Sequence, residues 1–148
     1  MDNFSTLVSI IIQAELHGET HELKRVLDVG PTPQILVKNA GFEDLDMVVK
    51  ASTICKICFD HGISTPIIQR LPIILGKPKA LYESATHADS AVVLTYEQQN
   101  TSPIVVAVQR GQRIGRNHIC NVVASMYGKQ GLDPEVRWKR QGLLLWEA

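Results

Sequence analysis

Between Arg110 and Lys129 the sequence gathers three arginines, a histidine, a serine, a tyrosine and a lysine within 20 positions, directly after the apolar run Pro103–Gln109. These residue types suit metal-free chemistry on a phosphodiester. Cleaving RNA by internal transfer needs a base for the 2′-hydroxyl, an acid for the leaving oxygen and cations on the charged transition state. DNA, which lacks the 2′-hydroxyl, is excluded from that reaction. Histidine is the side chain whose ordinary ionisation lies closest to neutrality, so it can serve as acid or base. Arginine and lysine hold phosphoryl oxygens, and serine and tyrosine donate hydrogen bonds without ionising. His61, Arg110, Arg113, Arg116, His118, Ser125, Tyr127 and Lys129 supply each of these parts.

Each residue also has a plainer role. His61 precedes Gly62, so it reads as a helix-terminal histidine favoured by the dipole. His118 reads as a solvated turn residue, and Arg113 and its neighbours as charges that keep a sheet edge from pairing. On residue types alone, an α+β domain of unassigned activity accounts for the sequence at least as well as a catalyst does.

Other chemistries find no pattern. There is no HExxH, no second cysteine pair and no carboxylate cluster beside a histidine, so no metal is expected. Gly111-x-x-x-Gly115 lacks the spacing and the Lys-Ser/Thr of a phosphate loop, and GxSxG is absent. Cys55-x-x-Cys58, with Cys120 a third cysteine, reads as two small apolar residues on one helix and fits a reducing, cytoplasmic setting. No cofactor is implied.

The elements that must position these residues follow from periodicity. At 148 residues with 45% hydrophobic content, the chain suits one domain with one core. No run approaches the ~20 apolar residues of a membrane crossing. Residues 4–16 carry Phe4, Leu7, Val8, Ile11 and Ile12 at helical spacing, and Asp2 stands where a signal peptide would be basic. Thr32-Pro33 opens a short helix, with Thr32 as its N-cap, and Met47–Val49 forms a short extended piece. Ser52 caps a helix ending at His61-Gly62, and Thr65-Pro66 and Leu71-Pro72 begin two more. Ser90–Glu97 and Pro103–Gln109 make an antiparallel hairpin. Residues 117–127 fit either a helix or a strand, and both place Asn121 and Ser125 on one side. Residues 138–146 hold a last strand, alone or after a helical turn. The expected fold is α+β: a helical N-terminal half (1–82) on a C-terminal antiparallel sheet (90–146) of three to four strands.

Charge divides along the chain. Residues 1–100 carry 8 Lys/Arg against 12 Asp/Glu, and residues 101–148 carry 7 against 3. A local basic field of that kind attracts an anion even at zero net charge.

The order of segments resembles the C-terminal domain of phage MuF-type head-morphogenesis proteins, which also occurs in polymorphic and mobile-element toxins. The pieces that carry the resemblance begin with Pro31-Thr32-Pro33-x-Ile35-Leu36, Lys56-Ile57-x-x-x-His61-Gly62-Ile63 and Leu71-Pro72-x-x-Leu75-x-x-Pro78. The hairpin, Asn121-x-x-x-Ser125-x-Tyr127-Gly128-Lys129 and Gly142-Leu143-Leu144 complete them. The resemblance implies a toxin-like domain, grouped with the barnase–EndoU–colicin–RelE ribonucleases, that cleaves RNA without metal. It places a Lys…His pair on Lys56 and His61 and a Ser-x-Tyr element on Ser125 and Tyr127. Asp60 stands where a basic residue is expected, and Trp146 where a tyrosine is.

The expected roles are His61 as general acid or base, with Arg113 and Lys129 as phosphate clamps. Ser125 and Tyr127 position the substrate, and Lys56, Arg110, Arg116, His118 and Asn121 bind it. RNA, including tRNA, and an acidic immunity or antitoxin protein are the expected partners, in the cytoplasm of a target cell. The alternative is a non-catalytic module, a phage accessory domain or an inhibitor of host defence, whose basic turn docks on a protein. A third reading is a transferase holding a nucleotide in the same cleft.

Overall fold

The computed structural model describes residues 3–131 and 133–148. The first apolar stripe folds as expected into helix α1 (Phe4–Leu16), capped by Asn3, whose side-chain oxygen accepts from the Thr6 N–H. A 3₁₀ turn, Thr20–Lys24, leads into strand β1 (Val26–Pro31). Its terminal Pro31 is tolerated because β1 is an edge strand, where a missing donor costs least. Helix α2 (Gln34–Asn39) follows. Thr32 does not cap it: the side chain is buried and its hydroxyl donates to the Leu45 carbonyl.

Strand β2 (Asp46–Lys50) leads into helix α3 (Ala51–Cys55), which widens without a break into a π-helical turn, Lys56–Asp60. His61 closes it, followed by Gly62 at φ +67, a left-handed conformation open to glycine at no steric cost. Helices α4 (Thr65–Gln69) and α5 (Leu71–Gly76) each have proline in the first turn. Then come β3 (Ala80–Glu83), β4 (Ser90–Gln99), β5 (Ser102–Ile114), β6 (His118–Gly128), helix α6 (Pro134–Arg140) and β7 (Leu144–Glu147). The segment 117–127 is thus strand from His118 on, not a helix. Asn100 and Thr101, both at positive φ, form the two-residue turn of the β4–β5 hairpin.

The class is α+β, but the expected sheet of three to four antiparallel strands is corrected to one mixed sheet of seven, ordered β1-β2-β6-β5-β4-β3-β7. Met47–Val49 of β2 run parallel to Asn121–Val123 of β6, while the other pairings are antiparallel. The helix-rich N-terminal half also contributes to the sheet, because β1, β2 and β3 arise within the first 83 residues.

One face of the sheet carries the main core. Val8 and Ile11 of α1, Ile54 and Ile57, Ile68, Leu71 and Leu75 close over Leu27, Val49, Val93, Val106 and Met126. The opposite face has α6, whose Trp138 sits on Ala80, Tyr82, Leu94 and Val105. By alternation Val48, Cys120 and Val122 also lie on that face, as a small buried cluster with Ile114 against it, and a cleft opens beside α6. Among the described residues, no helix is long and apolar enough to cross a membrane.

Candidate functional site

The register of β6 against β5 decides which side chains reach the α6 face. Ala107 pairs with Ser125 but Val108 pairs with Val123, so Ala124 is an extra residue, a β-bulge. The bulge puts Val123 and Met126 both on the helix-covered core. Ser125 and Tyr127, two apart, share the other face. There they line a cleft of about 370 Å³, together with Lys129, Ala107 and Val92. The β3–β4 loop brings His87 to its wall, and α6 brings Arg137 and Trp138. His87 Nδ1 lies 2.8 Å from the Thr86 hydroxyl. The Lys129 ammonium lies 6.0 Å from the Trp138 ring centroid, within cation–π range.

His61 reaches the site through Tyr127: their ring centroids are 5.8 Å apart, with planes tilted by 43°. It touches the wall of the cleft without lining it. The approach is possible because β2 pairs with β6 only as far as Val123, which leaves the following part of β6 open on that side. Gln99, the last residue of β4, holds the arrangement. Its amide donates to the His61 carbonyl at 2.7 Å, and its Oε1 lies 2.6 Å from where a β-carbon on Gly128 would be. A side chain larger than hydrogen at 128 displaces Gln99.

The remaining expected site residues lie elsewhere. Arg110 is structural: its guanidinium makes a two-bond fork to Glu83, at 2.7 and 2.9 Å, donates to the Ala40 carbonyl at 2.8 Å, and stands 5.1 Å over the Phe42 ring. Asn121 is fully buried. Its amide donates to the Thr32 hydroxyl and the Glu43 carbonyl, and its oxygen accepts from the Gly111 N–H. At 0% exposure it presents no surface to a substrate. Arg113 pairs in register with Ile119, whereas Ser125 pairs with Ala107. Six residues of strand at about 3.3 Å each put it roughly 20 Å along the sheet from Ser125. Arg113 therefore does not converge with His61, Ser125 and Tyr127. Its guanidinium donates to the Arg116 carbonyl at the exposed hairpin tip.

His118 is exposed beside Asp46, and the same Nε2 faces both the carboxylate at 3.8 Å and Cys120 Sγ at 3.5 Å. That geometry cannot relay a proton from thiol to carboxylate. Cys120 is buried, and burial raises its thiol pKa, so it is no nucleophile. Lys56 is exposed on the π-helical turn, where its carbonyl accepts from the His61 N–H, and it does not line the cleft. No group of three or more potential metal-binding side chains occurs among the described residues.

His87, Arg137 and Trp138 are the cleft residues that sequence reasoning missed as site residues. His87 sits in a polar loop with no pattern. Arg137 and Trp138 belong to a basic stretch whose helix begins at Asp133-Pro134, a capping signal that would have placed them on one short helix.

The sequence profile of the phage MuF C-terminal domain matches residues 58–147, more than half of the chain. The chain belongs to this family. The stretch matched to the phage MuF C-terminal domain runs from the π-helical turn through β7 and contains every residue that lines the cleft. Strands β1 and β2 and residue Lys56 lie ahead of it. Nothing matches the chain among curated proteins or among solved structures.

Proposed function

We propose that this phage MuF C-terminal domain is a toxin or effector module that cleaves RNA by 2′-hydroxyl transesterification without a metal. The observation that carries the proposal is the composition of the cleft on the α6 face of the sheet. Ser125 and Tyr127 of β6, Lys129 just after it, His87 of the β3–β4 loop and Arg137 of α6 come together there. The one carboxylate in its wall, Glu83, is already tied to Arg110. Lys129 and Arg137 supply positive charge for a phosphoryl group, and Ser125 and Tyr127 supply neutral donors. His87 in the cleft and His61 against Tyr127 are the two imidazoles for proton transfer. An acidic neutralising protein is the expected partner, since the same cations would have to be covered.

The test is incubation with total tRNA in EDTA, scoring cleavage and 2′,3′-cyclic phosphate ends. The proposal expects cleavage that survives EDTA, falls at least a hundredfold in His87→Ala, and falls by a smaller factor in His61→Ala. No cleavage of any RNA by the wild-type protein would overturn it in favour of a protein-binding module.

A further inference from the structure

The first cleft does not end at α6. A second cleft of about 600 Å³ adjoins it, and Lys129, Arg137 and Trp138 line both. Both volumes fall in the range of ligand pockets, about 300–1,000 Å³. Among the described residues neither Lys129 nor Arg137 has an ion-pair partner, while three nearby acids, Glu83, Glu135 and Glu147, are paired with other cations. Glu83 holds Arg110, Glu135 holds Lys79 and the Tyr82 hydroxyl, Glu147 holds Lys139, and the Asp133 carboxylate accepts the Glu135 N–H. The shared wall therefore carries the two cations Lys129 and Arg137; Arg140 adds a third in the second cleft, against the single carboxylate of Asp133 there. Each cleft also has apolar surface on its own side: Val92 and Ala107 in the first, Val136 and Pro134 in the second. Val136 is 56% exposed, an uncovered apolar side chain beside two cations.

Apolar wall, cations, apolar wall is the order of nucleoside, phosphate, nucleoside. We infer that the ligand spans both clefts: a single-stranded oligonucleotide of at least two nucleotides, with one phosphodiester on Lys129 and Arg137 and a nucleoside on each side. A mononucleotide would use one cleft and leave Val136 and Arg140 idle. A duplex is disfavoured because its bases are stacked and unavailable to separate pockets. This inference rests on the RNA-cleaving reading for the identity of the ligand, but its test does not need cleavage.

The probes are 2′-O-methyl uridine oligomers, whose blocked 2′-oxygen prevents internal transfer, titrated calorimetrically at fixed near-physiological salt. The expected result is at least a tenfold gain in affinity from the mononucleotide to the dinucleotide. Arg137→Ala should lose at least tenfold on the dinucleotide. Val136→Ser, which removes the apolar wall without adding charge, should weaken the dinucleotide and leave the mononucleotide unchanged, with both variants melting at the wild-type temperature. A dinucleotide lacking the second base should bind like the mononucleotide.

Equal affinity for one and two nucleotides, equal binding of the base-less dinucleotide, or no binding of any oligomer would overturn the inference. Wild-type cleavage of tRNA with flat length dependence removes the two-cleft ligand and keeps the ribonuclease. Length dependence without cleavage does the reverse.

Discussion

At the scale of single residues, the cations of the basic stretch separate by what they touch. Arg110 and Asn121 hold the fold together, and their loss should be read in stability. Asn121→Ala leaves buried partners unsatisfied and is expected to cost about 3 kcal/mol. A fall in urea midpoint with unchanged slope would show it. Arg110→Ala should cost about 2 kcal/mol, and Arg110→Lys should recover little, since an ammonium cannot reproduce a fork to both Glu83 oxygens. Arg113→Ala, at an exposed hairpin tip, should change stability by less than about 0.5 kcal/mol. Gly128→Ala displaces only the flexible end of Gln99, so its stability cost is expected to stay below about 1 kcal/mol. Its effect should fall instead on the proposed RNA cleavage, by releasing the His61 carbonyl from Gln99.

At the scale of elements, α3 and its π-helical extension carry a titrating group into the core. Cys55 is buried, and its thiol is pushed up to about 11, first by burial and then by Glu15 and Cys58. The folded state therefore holds this proton more tightly than the unfolded chain. The resulting stabilisation is complete below the ordinary thiol value near 9 and is lost as pH rises towards about 11. Urea midpoints measured from pH 8 to 11 should fall, and Cys55→Ala should reduce the slope of that fall.

Legibility in the sequence also divides by element. The β4–β5 hairpin could be read because two β-rich runs flank a polar turn. Strands β1 and β3 could not: β1 ends in the helix-breaking Gly30-Pro31, and in β3 Ala80, Leu81 and Tyr82 are all buried, which gives no alternation. Within the candidate site, Ser125 and Tyr127 were legible because two residues apart on one strand share a face. His87 and Arg137 were not, since their proximity comes from a loop and a helix that meet across the sheet. Arg113 was misread for the opposite reason. Closeness in sequence to Ser125 is undone by a hairpin that carries the chain out and back.

At the scale of the whole molecule, the N-terminal elements are woven into the sheet rather than appended to it. Beside β6, strand β2 forms the sheet's parallel pairing, and α1, β1 and α3 supply Val8, Ile11, Leu27 and Ile54 to the same core as Val106 and Met126. The full chain is expected to unfold in one transition by circular dichroism and by tryptophan fluorescence alike. A fragment starting at Cys58 should lack cooperative unfolding, because it exposes both that core and the side of β6 that β2 covers. Two coincident probes for the full chain, and a flat melt for the fragment, would bear this out.

The turn at Asn100-Thr101 bears on how the domain could be improved. Thr101 is β-branched yet held at φ 69, a conformation costing L residues roughly 1–2 kcal/mol. Thr101→Gly would relieve that strain and raise the melting temperature. But glycine is also free to leave that conformation, and the turn directly follows Gln99, whose amide donates to the His61 carbonyl. A selection for thermostability alone would accept glycine there, whereas a selection for the proposed RNA cleavage would keep the threonine. The two screens, run on one library, should diverge at this codon.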